Sequence, residues 1–118
     1  MKLTMPLFTL FCFILAPLTQ AKTDYQVSIG TLHGQLRFSP EAFAVKPGSI
    51  IDVNFENSDE MIHNLIFAIG DGKTIDQVAE SALKLGEKGM ERGFVPKDSS
   101  ILASIGLVQP GKKASVRF

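Results

Sequence analysis

Apolar and polar side chains alternate along residues 50–56, where Ile51, Val53 and Phe55 are separated by Asp52 and polar neighbours. A period of two residues is typical of a β-strand with one buried face and one exposed face. This segment is therefore predicted to be a half-buried strand. Similar alternation, or a short apolar run between turn residues, predicts further strands at 25–29, 42–45, 101–105 and 114–118.

A second strand is predicted at 65–69, where both faces are apolar, as expected for a strand that is covered on two sides. The polar run 57–60 separates it from the strand before it, and its carboxylates Asp59 and Glu60 are interpreted as a solvated loop. His63 and Asn64 come directly before the apolar run. We therefore expect both side chains to lie where a buried strand begins, which is a common location for functional sites.

The hydrophobic period changes after Gly70, and apolar residues recur at helical spacing between 75 and 85. Thr74 is a plausible N-cap, and Gln77 follows three residues later, as in a capping box. One amphipathic helix is predicted here, ended by Gly86.

Short strands, Pro-Gly turns and a single helix together favour an all-β fold over a fold built from parallel βαβ units. The predicted architecture is an antiparallel Greek-key β-sandwich with one helical insertion. No internal repeat or linker interrupts it, so a single domain is expected at 22–118.

The first 21 residues have the composition of a secretory signal peptide, with Lys2, an apolar stretch from Leu7 to Leu15, and the small residue Ala21 at the expected cleavage point. An apolar stretch this short is a poor membrane span, so none is expected after the signal is removed. The predicted location is therefore periplasmic or secreted.

Charge and cysteine content limit the classes of function that are expected for this chain. Without Lys2, the twelve basic residues become eleven against twelve acidic ones, and no basic cluster suggests a nucleic-acid partner. Cys12, the single cysteine, lies inside the predicted signal, so the mature segment has no thiol and no disulfide. No pattern of a nucleophile with its base, a zinc motif or a phosphate loop is present, and an enzyme is not expected.

The chain resembles the cupredoxins, the blue copper proteins of the azurin and plastocyanin kind. The resemblance rests on the runs 43–48, 53–57 and 61–67, on a helix placed like the flap helix of azurins, and on the segment 94–111. It implies a cupredoxin sandwich that carries one electron on a type 1 copper ion and exchanges it with a redox partner protein such as a cytochrome.

The same resemblance implies roles for two residues. His63 matches the early copper ligand, and Asn64 matches the asparagine that ties the two ligand-bearing segments together by hydrogen bonds. The family takes a cysteine, a second histidine and commonly a methionine from a loop near the C-terminus, and this sequence has no such segment.

Two explanations of that difference stay open. The one favoured by the apolar ending at Phe118 is that the last loop and strand are missing from the sequence, and the other is a degenerate domain without copper. Two further functions are alternatives to electron transfer. One is Cu(I) handling or storage through Met61 and His63, and the other is a metal-free interaction domain with an open strand edge.

Overall fold

The computed structural model describes residues 21–118, so the predicted signal peptide lies outside the described residues except for Ala21. Six strands and one α-helix are found in this part of the chain, together with a short 3₁₀ turn. In chain order they are β1 (Tyr25–Thr31), β2 (Phe38–Ser39), β3 (Ile51–Glu56), β4 (His63–Ala68), α1 (Gly72–Leu83), the 3₁₀ turn (Gly86–Gly89), β5 (Ile101–Val108) and β6 (Lys113–Arg117).

The strands form two sheets, one of four strands in the order β2-β1-β3-β6 and one of two strands, β4 and β5. Three of the pairings are antiparallel, and β1 pairs with β3 in parallel, from Tyr25 opposite Ile51 to Gly30 opposite Glu56. The chain passes from β5 in the small sheet back to β6 beside β3. The predicted all-β sandwich with one helical insertion is confirmed, with one parallel pair inside it.

The core lies between the two sheets and is centred on β3. Val53 and Phe55 are completely buried, while Asn54 between them is exposed, so the alternation predicted for this strand is confirmed. Phe55 also meets the ring of Phe38 edge to face, with 5.9 Å between the ring centroids. The buried members of this cluster are Ile29, Ile51, Val53, Phe55, Leu65, Ile105 and Val108.

The helix begins earlier than predicted. Its N-cap is Asp71, whose carboxylate accepts a hydrogen bond from the backbone N–H of Thr74 at 3.0 Å, so Thr74 is not the cap. This bond is also the main reason that the pKa of Asp71 lies below its usual value. The helix ends at Leu83, and its buried residues are Val78 and Ala82.

The strand predicted at 42–45 is wrong, because this segment forms no ladder in the structure. Its apolar pattern has a different cause. Phe43 packs edge to face against Phe67 of β4, at a centroid distance of 6.5 Å. Side-chain packing can thus produce a strand-like pattern without backbone pairing. The strand predicted at 101–105 is confirmed and extends to Val108.

An ion pair joins β3 to β6 on the outer face of the large sheet. Asp52 lies opposite Arg117 in the register, and the guanidinium donates to both carboxylate oxygens, with Nε–Oδ1 and Nη2–Oδ2 distances of 2.6 and 2.8 Å. Thr23 donates a third hydrogen bond to the same carboxylate. The bonds from Arg117, and then the bond from Thr23, lower the pKa of Asp52 from 3.8 to about 2.

This shift predicts how stability depends on acid. A carboxyl group whose pKa is lower in the folded state stabilises that state above the unfolded pKa, and the contribution is lost as the pH falls through the folded pKa. For Asp52 the loss falls between pH 3.8 and about 2. Urea unfolding at several pH values should therefore show a smaller decrease in the free energy of unfolding across this window in Asp52→Asn than in the unaltered chain.

Asp76→Asn, on the exposed surface of α1, is the matched control and should keep the full decrease. Equal acid dependence in Asp52→Asn and the unaltered chain would contradict the prediction.

Candidate metal centre

His63 is the first residue of β4 and lies opposite Val108 of β5, so a strand pair inside the sandwich holds its backbone. Its side chain keeps only 16% of its accessible surface. The predicted position of this histidine at the start of a strand is confirmed. The ring is therefore held at the end of the sandwich, and it is neither free in solvent nor enclosed in the core. The prediction that the strand is covered on two sides is wrong, because Leu65 is the one fully buried residue of β4, and β4 lies in a sheet of two strands.

One ring nitrogen of His63 is bound to a carboxylate from the preceding loop. Nε2 lies 2.9 Å from Oδ2 of Asp59. The other carboxylate oxygen, Oδ1, accepts hydrogen bonds from the backbone N–H groups of Glu60 at 2.8 Å and Gly34 at 3.3 Å. The bond with His63, followed by those with Glu60 and Gly34, lowers the pKa of Asp59 below its usual value.

The sequence predicted that Asp59 and Glu60 both lie in a solvated loop. This prediction is wrong for Asp59 and correct for Glu60. Only 8% of the surface of Asp59 is accessible, whereas Glu60 is exposed. The loop folds back over the end of the sheet. Its first carboxylate therefore meets two backbone donors and the ring of His63, while the side chain of Glu60 is exposed to water.

Asn57 organises this loop and was missed in the sequence. It is completely buried, and its amide nitrogen donates to the carbonyls of Met61 at 2.7 Å and Val108 at 2.8 Å. Its amide oxygen accepts from the backbone N–H of Asp59 at 3.0 Å and from the hydroxyl of Thr31 at 3.2 Å. One side chain thus joins the loop to β1 and to the end of β5. The hydrogen bond from the backbone N–H of Asp59 to the side-chain oxygen of Asn57, two residues earlier, forms an Asx turn. The Asn-x-Asp spacing in the sequence could have indicated this turn.

The side chain of Asn64 bonds to a different part of the chain, at Gly93 and Phe94. Its amide nitrogen lies 3.0 Å from the carbonyl oxygen of Gly93 and 3.3 Å from that of Phe94. Both residues have positive φ, and a Cβ on Gly93 would lie 2.8 Å from Cα of Gly106 in β5. Asn64 therefore holds a tight turn against β5. Its expected role between two ligand-bearing segments stays a prediction.

The described residues fit one part of a metal site. With Nε2 of His63 bound to Asp59, Nδ1 is the ring nitrogen left for a metal ion. Within 21–118 no three His, Cys, Asp or Glu side chains lie close enough to share an ion. His33 is exposed on the surface, and Met61 keeps 54% of its surface accessible. A thiolate ligand would have to come from outside these residues.

Among residues 21–118, no helix combines the length and the apolar character needed to cross a bilayer.

Comparison with known proteins finds similarity in structure and not in sequence. No family model and no curated protein sequence matches the chain. Solved structures do match. Auracyanin from Roseiflexus castenholzii, in its dithionite-reduced form, has a TM-score of 0.72 at 24% identity, over 82% of this chain and 76% of that one.

Two further structures are similar over comparable lengths. Auracyanin A, a blue copper protein from Chloroflexus aurantiacus, has a TM-score of 0.70 at 24% identity, with 79% of this chain and 75% of that one covered. An azurin from Methylomonas sp. strain J has a TM-score of 0.67 at 22% identity, over 81% and 75% of the two chains.

The class of protein that this fold defines is the cupredoxin sandwich. The predicted resemblance is confirmed for the fold, and the matching structures are auracyanins and an azurin. Identities below 25% establish the fold alone, so function has to be argued from the residues of the site.

Proposed function

We propose that this protein is an exported electron carrier in which His63 is one ligand of a type 1 copper ion. The observation that carries the proposal is the position of its imidazole. The ring stands at the start of β4, is mostly buried, and has one nitrogen bound to a fixed carboxylate 2.9 Å away. A metal-binding histidine typically binds a carboxylate or carbonyl through its other nitrogen in this way.

When bound, copper would supply the one-electron chemistry, and no substrate is transformed. The chain's own contribution is to hold His63 still: β5 fixes its backbone, and Asp59 fixes its ring. Asn64 is proposed to tie this strand to the segment that brings the remaining ligands. Those ligands include a thiolate from outside residues 21–118.

The proposal includes the processing and location of the protein. Residues 1–21 are a signal peptide that is removed on export, and 22–118 belong to the copper domain. The protein works in the periplasm or outside the cell, and a redox partner protein such as a cytochrome supplies or receives the electron.

The test is copper binding by the full-length gene product. We expect one Cu(II) ion per chain, with the blue colour of copper–thiolate coordination. His63→Ala should lose the colour and bind copper at least about 100-fold more weakly. Loss of a residue that only supports a metal ligand costs about 10–100-fold in affinity, and loss of a ligand itself costs more. His33→Ala removes the other, exposed histidine and should bind as the unaltered protein does. Optical titration and metal analysis measure both.

Undiminished copper binding in His63→Ala would refute the proposed ligand. Cu(I) handling through Met61 and His63 is the second candidate, because Met61 is exposed on the loop that leads into His63. Cu(I) titration of Met61→Ala separates the two. If the protein stores or delivers Cu(I), Met61→Ala should bind Cu(I) much more weakly, and the unaltered protein should show no blue colour. That result would contradict electron transfer.

A further inference from the structure

We propose that Asp59 is a positioning residue that selects the tautomer of His63, keeping hydrogen on Nε2 so that Nδ1 faces a metal ion with a free lone pair. This inference deepens the proposed function and rests on it for the identity of the ligand. Neither the resemblance nor the sequence pattern pointed to Asp59. It follows from how each oxygen of one carboxylate is used.

Oδ1 of Asp59 is held by two backbone donors. It receives the backbone N–H groups of Glu60 and Gly34, at 2.8 and 3.3 Å. A backbone N–H can only donate, so the atom at this position has to be an oxygen. Because Gly34 lies on a different loop from Asp59, these two bonds fix the rotation of the carboxylate as well as its position.

Oδ2 of the same carboxylate then lies 2.9 Å from Nε2 of His63. An aspartate side chain is ordinarily ionised at neutral pH, and an ionised carboxylate only accepts hydrogen bonds. Nε2 must therefore carry the hydrogen. In a neutral imidazole the other nitrogen, Nδ1, then has the lone pair that metal coordination requires.

The carboxylate of Asp59 cannot easily move away from the ring. Its side chain keeps 7% of its accessible surface. The backbone N–H of the same residue donates to the amide oxygen of the buried Asn57 at 3.0 Å, and the backbone N–H of the preceding residue, Ser58, donates to the hydroxyl of Thr31 at 2.8 Å. Asp59 is thus held by its backbone and by both oxygens, and it imposes its geometry on the ring.

Asp59→Asn tests the inference in the metal-free chain. The amide oxygen of the new side chain is expected to take the place of Oδ1, facing the two backbone donors, which leaves its NH₂ group facing Nε2 of His63. Nε2 must then accept, and the hydrogen moves to Nδ1. Long-range ¹H–¹⁵N NMR should show the major tautomer inverted from Nε2–H to Nδ1–H, at about pH 8, where an ordinary imidazole is neutral.

Two variants control for the change of charge and for loosening of the loop. Glu60→Gln makes the same chemical change at the neighbouring exposed residue and should leave the tautomer as Nε2–H. Thr31→Val removes the hydroxyl that supports the loop without touching the carboxylate, and it too should leave the tautomer unchanged. The exposed ring of His33 serves as an internal reference in every spectrum.

Two results would overturn the inference: an Nδ1–H tautomer of His63 in the unaltered chain, or an unchanged Nε2–H tautomer in folded Asp59→Asn. The first of these needs no variant, so the inference stays testable even if Asp59→Asn does not fold. Failure of the proposed function is a separate result, because it appears as absent copper binding in the full-length protein while the tautomer is measured without metal.

Discussion

Replacing Asn57 by alanine is expected to lower the free energy of unfolding by about 3 kcal/mol, because four hydrogen bonds of a completely buried amide are lost together. The carbonyl oxygens of Met61 and Val108 lose a buried donor, and the N–H of Asp59 and the hydroxyl of Thr31 lose their acceptor. A buried polar group left without a partner costs about 1–3 kcal/mol, and partial access of water reduces the sum.

Chemical denaturation followed by circular dichroism measures this loss. Asn54→Ala is the matched control, since the same side chain is removed from the exposed face of the adjoining strand, and it should change the stability by no more than about 0.5 kcal/mol. Similar losses for the two variants would show that the buried amide does not organise the loop.

The second large effect is expected at Phe55, where substitution by alanine should lower the free energy of unfolding by about 3–5 kcal/mol. Phe55 is completely buried at the centre of the core, and its ring contacts Phe38 edge to face. Truncation leaves a cavity between the two sheets, because β3 is held between neighbours on both sides and cannot collapse to fill it.

Phe43→Ala is the control for this variant, because it removes the same ring from a segment outside the sheets. Phe43 keeps 39% of its surface accessible and packs on Phe67 alone among the aromatic residues described. Less than half of the loss seen for Phe55→Ala is expected in the same denaturation experiment. An equal loss would mean that the core is not centred on β3.

Much of the fold was predictable because burial imposes a period on the sequence. The alternation around Val53 and Phe55 identified β3, and the unbroken apolar run after Asn64 identified β4. The helix was recognised from its apolar stripe, but its start was placed late, because both Asp71 and Thr74 are good capping residues. Only the observed bond from the backbone of Thr74 to Asp71 decides between them.

The candidate site was predictable only in part. His63 was noticed because it comes directly before an apolar run, and its position at the start of β4 is confirmed. Its partner was missed, because Asp59 and Glu60 are adjacent carboxylates in one polar run. Part of the difference between them comes from Gly34, which lies 25 residues away and donates its backbone N–H to Asp59.

By itself, the sequence determined which segments are apolar on one face or both, and hence that the chain forms a small β-sandwich with one helix. Tertiary structure alone decided that β1 pairs in parallel with β3, that 42–45 forms no strand, and that Asn57 and Asp59 are buried. The physical reason is that hydrophobic periodicity is a local property. A hydrogen bond between distant segments depends on where the whole chain places its donors and acceptors.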